Sequence, residues 1–424
     1  MSCSLRGSAW RQRLIEDVAA RLFSPPPGRG QGTVGDHGSI GAEVELLPLR
    51  ADDGRPVPIV ADETGPGSMG FLEPLARSRG WRVEPGPHGA PNVSLPAGGV
   101  ISFEPGGQIE YASPPHGSVG ELVADLDRVV PPLVEAAAEA GVRLVGAGID
   151  PVNPLARARL LLPGSRYQVM HRYLSALGEA GPRMMLQTAA LQVNVDLGDT
   201  GGPDAHLRWR VLNAAAPYLT AIFANAGVYA GADTGCASFR ALQWRRLDTR
   251  RTGLLGRAPD AAAEYTDFAL EAGWMFGPDE RPFADHMLEG RATLDDWRTH
   301  LTTLFPEVRP RGFLEIRGVD ALPPEWLAAP AALVAGLLAD PVTLLHAADL
   351  LGRPDPLLLH DAASAGLREP RLAGPARELF GLALQAGERT RTLTGRARDV
   401  AWRYFERFTA RGLSPADGEV GAAA

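Results

Sequence analysis

Residues 100–113 read VISFEPGGQIEYAS. Side chains along a strand alternate between its two faces. Ile109 and Tyr111 therefore share one side, Gln108 and Glu110 share the other, and Glu104 stands just before a Pro-Gly-Gly turn. Three more stretches repeat the pattern. In GAEVELL (41–47), Glu43 and Glu45 oppose Ala42, Val44 and Leu46. In MLQTAALQVNVD (185–196), Thr188, Gln192, Asn194 and Asp196 oppose Leu191, Val193 and Val195. In GFLEIRG (312–318), Phe313, Glu315 and Arg317 oppose Leu314 and Ile316. A sheet with one wet face produces the same alternation. A merely wet face would accept lysine, arginine and threonine equally, yet these positions hold mostly Glu, Gln and Asn. Carboxylates crowded on one face repel each other unless cations sit between them. Oxygen-only donor sets of this kind suit Mg²⁺ or Mn²⁺ rather than zinc.

Around these strands the pattern is mainly helical. Trp10, Leu14, Ile15, Val18 and Leu22 have helical spacing within 8–23, and SPPPGRGQG from Ser24 ends that run. Residues 51–99 are rich in Gly, Pro and Asp and predict loops with short strands. Helices are predicted at 118–141, 166–180, 207–228, 259–273 and 293–304, with strands at 185–196 and 312–318. Beyond Pro323 the chain is helical, and GEVGAAA at the end predicts a frayed tail. Strands scattered among helices favour an α+β fold with an antiparallel sheet over a regular βαβ array.

Composition removes several chemistries. All 42 basic residues are arginine, with no lysine, against 50 acidic residues and a net charge of −8. A Walker A loop, a Schiff-base enzyme and a lysine nucleophile are excluded. The acidic balance argues against a nucleic-acid partner. Glycine (49) and proline (37) fill about a fifth of the chain, well above the usual share, and predict long ordered loops. Two cysteines, Cys3 and Cys236, make no disulfide framework. Without an apolar run of membrane length or a signal-peptide core, the expectation is a soluble, cytoplasmic protein with no membrane partner.

The four strands, with RYQVMHRYL, FAN, SFRALQWRRLDTRRTG and HLTTLFPEVRPRGFLEIRG, resemble the plant-type glutamate–cysteine ligase family over roughly residues 35–410, in the family's order and spacing. The arginine-rich composition and lack of plant extensions are most similar to the actinobacterial branch that feeds ergothioneine synthesis. The resemblance implies a curved antiparallel sheet flanked by helices, as in glutamine synthetase. It also implies ATP-dependent joining of the glutamate γ-carboxylate to the cysteine amine through a γ-glutamyl phosphate, with Mg²⁺ or Mn²⁺. By motif, Glu43, Glu45, Glu104, Glu110, Glu315 and Gln192 are the implied metal positions, and Glu315 with Arg317 the catalytic pair. Arg166, Tyr167, Gln187, Arg240 and Trp244 fall in segments used for the amino acids; Asn194, Arg250 and Arg251 are implied nucleotide contacts. The implied partners are glutamate, cysteine and ATP, on a monomer or homodimer.

The expected organisation is a helix and linker at 1–34, one catalytic domain at 35–412 with a helical part from about 324, and a disordered tail at 413–424. An alternative is a ligase of the same family with another amine; a non-catalytic sensor would require an eroded metal position, and none is eroded. GPGSMG (65–70) fits G-x-G-x-x-G but is not read as opening a helix after a strand, so it is set aside as a dinucleotide site. Cys236 is read as a small semi-buried thiol, and the Trp402–Phe408 cluster as core.

Overall fold

The computed structural model describes residues 2–25, 38–87, 89–200 and 203–418. A nine-stranded antiparallel sheet forms its centre. In chain order its strands are β1 (Ile40–Arg50), β2 (Arg82–Pro85), β3 (Pro91–Ser94), β4 (Val100–Phe103), β5 (Ile109–Ala112), β6 (Val142–Val145), β7 (Leu191–Val195), β8 (Val308–Pro310) and β9 (Leu314–Ile316). Their spatial order is β8-β9-β7-β1-β5-β4-β3-β2, with β6 pairing the far end of β1. The 11-residue β1 is the spine, because its first half pairs with both β5 and β7.

The apolar positions of these strands supply one continuous face. Ala42, Val44, Leu46, Ile101, Ile109, Tyr111, Val193, Leu314 and Ile316 are all buried in the main core. Helix Val119–Glu139 and the alanine-rich helix Ala328–Leu337 pack close to β1 on this core. Leu122, Val123, Leu126, Val129, Val130 and Leu133 provide the buried stripe of the first. The second is buried at every residue and has no polar face, so it must pack on all sides. Its Gly336 meets helix Pro370–Thr390 so closely that a Cβ would lie 2.3 Å from the Ala383 carbonyl oxygen. Among the described residues, no single helix is long and apolar enough to cross a membrane.

Several boundaries differ from expectation. The proline- and glycine-rich stretch 51–99 contains a helix, Met69–Arg79, with Pro74 inside it, and GPGSMG runs into its first turn. Burial of Met69, Phe71, Leu72 and Leu75 outweighs the local composition. The expected strand start at 185 is instead helix Ala180–Gln187. The N-terminal helix spans Ser2–Leu22 and belongs to the body: Leu14 and Val18 are buried, and Arg11 pairs with Asp267. At the other end, 413–418 is ordered, not tail. Ser414 is buried and caps a short turn through Asp417, which also pairs with Arg368. The expected linker at 26–34 and the final residues 419–424 lie outside the described residues. Tyr404 of the aromatic cluster is core, packed on Phe223, Phe380 and Trp326.

Candidate active site

Register brings the polar positions together. Glu45 lies opposite Glu110, and Glu43 opposite Gln192. Asn194 lies opposite Glu315, which in turn lies opposite Arg309. Cross-strand partners share a face, so all seven side chains occupy the sheet's second face, and Arg311 and Arg317 follow two residues along. Glu104 joins them from the turn after β4. That turn is tight: the Gly107 N–H donates to the Glu104 carbonyl at 2.8 Å, with Gly107 at φ +91°. A Cβ on Gly106 would lie 2.1 Å from the Leu186 carbonyl oxygen.

This face floors a cavity of about 380 Å³. Its opposite wall is helical: Arg166, Tyr167 and Met170 from Ser165–Ala176, Met184 and Met185 from Ala180–Gln187, and Arg240 and Trp244 from Phe239–Arg245. The sheet thus contributes charge and the helices contribute apolar surface with two arginines.

The five glutamates divide into two electrostatic groups. Glu315 is fully buried and ion-paired to Arg309, Arg311 and Arg317. Against the cost of burial, the charges of Arg309 and then Arg317 hold its carboxyl at about 2. Glu43, Glu45, Glu104 and Glu110 have no arginine within ion-pairing distance among the described residues. Burial, and then repulsion from Glu45 and Glu43, pushes Glu104 up to about 8. Burial, and then repulsion from Glu104, Glu43 and Glu45, pushes Glu110 well above the ordinary range, and burial also raises Glu43 and Glu45. Amides supply the local support. Asn194 donates to Glu43 at 3.0 Å and Gln192 to Glu45 at 3.3 Å, while the Ala190 backbone N–H donates to Glu45 at 2.7 Å. Arg317 donates to the Gln192 oxygen at 3.0 Å, so one hydrogen-bonded chain runs from Arg317 to Glu45.

Four oxygen donors that repel one another fit hard divalent cations such as Mg²⁺ or Mn²⁺, whose charge would remove the repulsion. As the side chains stand, no three His, Cys, Asp or Glu among the described residues converge closely enough to ligate one ion. The raised carboxyls carry a pH consequence. A carboxyl whose folded pKa exceeds its unfolded value stabilises the fold only while protonated, so that stability is lost as pH rises from about 4.5 to about 8. Glu315, held low, opposes this only below about 4.5. In EDTA, Glu104→Gln is therefore expected to be more stable than wild type at pH 8 by at least about 1 kcal/mol, with the difference shrinking toward pH 5. Thermal unfolding across that range measures it; parallel pH profiles would contradict the assignment.

A profile of the glutamate–cysteine ligase family 2 (GCS2) matches residues 39–410. The chain belongs to this family. It is 37% identical to the glutamate–cysteine ligase EgtA of Mycolicibacterium smegmatis over 355 residues, covering 77% of this chain and 82% of that protein. The M. tuberculosis EgtA is also 37% identical, over 68% and 70% of the two chains. The chloroplastic glutamate–cysteine ligase of Medicago truncatula is 33% identical over 59% of this chain and 52% of its own. A solved glutamate–cysteine ligase from Francisella tularensis, in complex with AMP, superposes with TM-score 0.52 at 11% identity over 91% of this chain and 84% of that one, a likeness of fold. The protein is thus an enzyme, a ligase of the glutamate–cysteine ligase type, on the expected antiparallel α+β fold.

Against the family-derived expectations, the cavity gathers Glu43, Glu45, Glu104, Glu110, Gln192, Arg166, Tyr167, Arg240, Trp244 and Arg317 in its lining. Glu315 lies beneath Arg317, and Asn194 lines an adjoining pocket beyond Glu43 with Ser39, Ser113 and Phe313. Three positions are not brought there. Gln187 is turned away, donating to the Asn153 carbonyl at 2.7 Å and accepting from Tyr229. Arg251 is fully buried, with its guanidinium spent on Asp248, Thr303, Tyr173 and the Gly273 carbonyl. Arg250 is half-exposed against Asp248. Arg251 ties separate segments together and Arg250 is paired within its own loop; neither lines the cavity. Arg309, Arg311 and Asp320 were not singled out from the sequence. The arginines could have been found by extending the two-residue alternation back across RPRG into β8.

Proposed function

We propose that this enzyme joins the γ-carboxylate of glutamate to the amine of cysteine, converting ATP to ADP and phosphate. A carboxylate oxygen attacks the γ-phosphorus and ADP departs; the amine nitrogen then attacks the acyl carbon of the γ-glutamyl phosphate, loses a proton, and phosphate departs. The observation that carries this reading is one cavity with a four-carboxylate face and Arg317 on one side and an arginine-bearing apolar wall on the other. Such a cavity can hold a polyphosphate and two amino acids together.

Mg²⁺ or Mn²⁺ would be held by Glu43, Glu45, Glu104 and Glu110, with Gln192 beside them. When bound, the cations supply charge neutralisation for the polyphosphate. Arg317 is the guanidinium placed to meet the transferring phosphoryl group. Its orientation is set by Glu315 at 3.0 Å and Gln192 at 3.0 Å, and its cation lies 5.8 Å from the Trp244 ring centroid. Arg317→Lys is expected to lose at least about 2 kcal/mol of transition-state stabilisation, because an ammonium cannot reproduce the planar fork. A kcat/KM within twofold of wild type would remove that role.

Arg240 is placed to take a substrate carboxylate. It is held from behind by the buried Asp320 at 3.5 Å and donates to the Arg317 carbonyl at 2.9 Å. Asp320 does not line this cavity, and it also accepts from Ser238 and from the Asn225 N–H. Asp320→Asn is therefore expected to raise the KM for glutamate at least about tenfold, with a smaller change in kcat. Equal falls in kcat and kcat/KM would assign Arg240 elsewhere. Two buried side-chain atoms of the residues lining this cavity and the adjoining pocket have no hydrogen-bond partner: the Trp244 indole N–H on the helical wall and the Asn194 side-chain oxygen in the pocket beyond Glu43. We place the nucleotide toward Asn194 and the amino acids toward Trp244.

Mass spectrometry after incubation with ATP, Mg²⁺, glutamate and cysteine tests the whole reading. A γ-glutamylcysteine mass that requires all four is expected; ADP release driven better by another amine would establish the alternative substrate. The similarity to the two EgtA proteins supports placing the product in the cytoplasm, upstream of ergothioneine.

A further inference from the structure

A second cavity, of about 250 Å³, lies on the same side of the sheet beyond Glu45, separated from the first by the Pro-Gly-Gly turn. Leu47, Leu49, Val57 and Leu186 are buried in its lining and make an apolar floor. Four arginines line it: Arg50, Arg55, Arg157 and Arg159. Arg50 and Arg159 are committed to Asp52 and Asp62, each at 2.8 Å. The other two are loosely held: Arg55 sits 3.4 Å from an exposed Asp53, and Arg157 makes a 3.4 Å hydrogen bond to the Asn153 side-chain oxygen. The one acid in the lining, Asp150, is 3% exposed and already accepts from the Val152 and Asn153 backbone N–H groups. Apolar depth below two weakly engaged guanidinium groups is the environment an amphipathic anion fits, carboxylate outward and apolar body inward.

The wall between the two cavities has little slack. Gln108 lines both; its oxygen accepts from Gly106 at 2.9 Å and its nitrogen donates to the Thr188 carbonyl at 2.8 Å. Leu161, in the second cavity, donates through its backbone to the Pro105 carbonyl at 2.8 Å. Glu104 adjoins Pro105, so a body pressing on Leu161 or Leu186 bears on the segment that carries a cation-holding carboxylate.

We propose that this second cavity binds a small organic monocarboxylate with a compact apolar body, and that its occupancy is coupled to cation binding at Glu104 through the Pro-Gly-Gly turn. The binding is independent of the reaction assigned above; the coupling alone rests on the metal reading. The probe is 4-fluorobenzoate, followed by ¹⁹F NMR on the full chain, with 4-fluorobenzamide as the uncharged match. We expect binding that survives saturating glutamate and ADP. It should be at least about tenfold weaker for the amide, and at least about tenfold weaker for an Arg55→Ala/Arg157→Ala variant that leaves basal turnover unchanged. Val57→Trp, which fills the floor, should abolish it. Absence of binding, displacement by glutamate or ADP, or equal affinity for benzoate and benzamide would each overturn the site. So would unchanged binding in the double arginine variant, whose substitutions lie at the exposed rim and leave the core intact. For the coupling, Mn²⁺ half-saturation should shift more than about twofold when 4-fluorobenzoate is present. No shift overturns the coupling, whereas failure of Mn²⁺ to bind at all overturns the metal reading and leaves carboxylate binding standing.

Discussion

Glu315→Ala is expected to destabilise the protein by at least about 3 kcal/mol and to abolish turnover, because it strands buried cations. Arg309 donates to Glu315 through Nη2 at 2.9 Å, Arg317 through Nη1 at 3.0 Å and Arg311 at 3.3 Å. The side chains of Arg309 and Arg317 are only 17% and 14% exposed, so water cannot take over the lost carboxylate. Their mutual repulsion would then act without opposition across the β8–β9 hairpin. Denaturant unfolding with EDTA present measures the loss without contribution from metal. A change under about 1 kcal/mol would mean that the arginines find other partners. Glu315 is the counter-ion of an arginine cluster, and any direct contact with a cation is secondary to that role.

Glu45→Gln is expected to show the reverse: turnover falling at least about a thousandfold, roughly 4 kcal/mol of barrier, with a fold no less stable than wild type in EDTA. The amide keeps an acceptor for the Ala190 N–H, which Glu45 meets at 2.7 Å, so the junction between β1 and the start of β7 is preserved. What it removes is a negative charge in a wall already carrying Glu43, Glu104 and Glu110. Burial raises the Glu45 carboxyl, so the uncharged side chain also avoids a desolvation cost. Activity measured over a range of Mg²⁺ concentrations, alongside Tm in EDTA, separates the two effects. Turnover within tenfold of wild type at ordinary Mg²⁺ would dismiss the cation face; a large loss of Tm would recast Glu45 as structural.

The contrast between these variants marks what strand alternation could and could not tell. Period-two reading placed Glu43 with Glu45, Gln192 with Asn194 and Glu315 with Arg317 on shared faces, and it separated them correctly from the apolar set. It is reliable because alternation is a local property of extended backbone. Alternation carries no register. That Glu45 faces Glu110 depends on how distant strands align, and that Glu315 faces Arg309 on the register of the β8–β9 hairpin; the distinction between a crowded carboxylate and a neutralised one follows from those alignments. DTRRTG shows the same limit: adjacent arginines looked equivalent, yet one is fully buried among four partners and the other half-exposed. Met69–Arg79 shows it for secondary structure, where buried apolar contacts formed a helix in a proline-rich stretch.

By itself, then, the sequence determined the antiparallel α+β class, the greasy and polar faces of the sheet, the exclusion of lysine chemistry, and the family. Those depend on periodicity, composition and motif order, which are written along the chain. The tertiary structure alone decided which four glutamates stay uncompensated and which one is held by arginines. It also decided that Arg240 leans on Asp320, and that Gln187, Arg250 and Arg251 point elsewhere. Charge state and reach depend on neighbours that only folding brings within contact distance, as it brings Asp320 to Arg240 and Glu110 to Glu45.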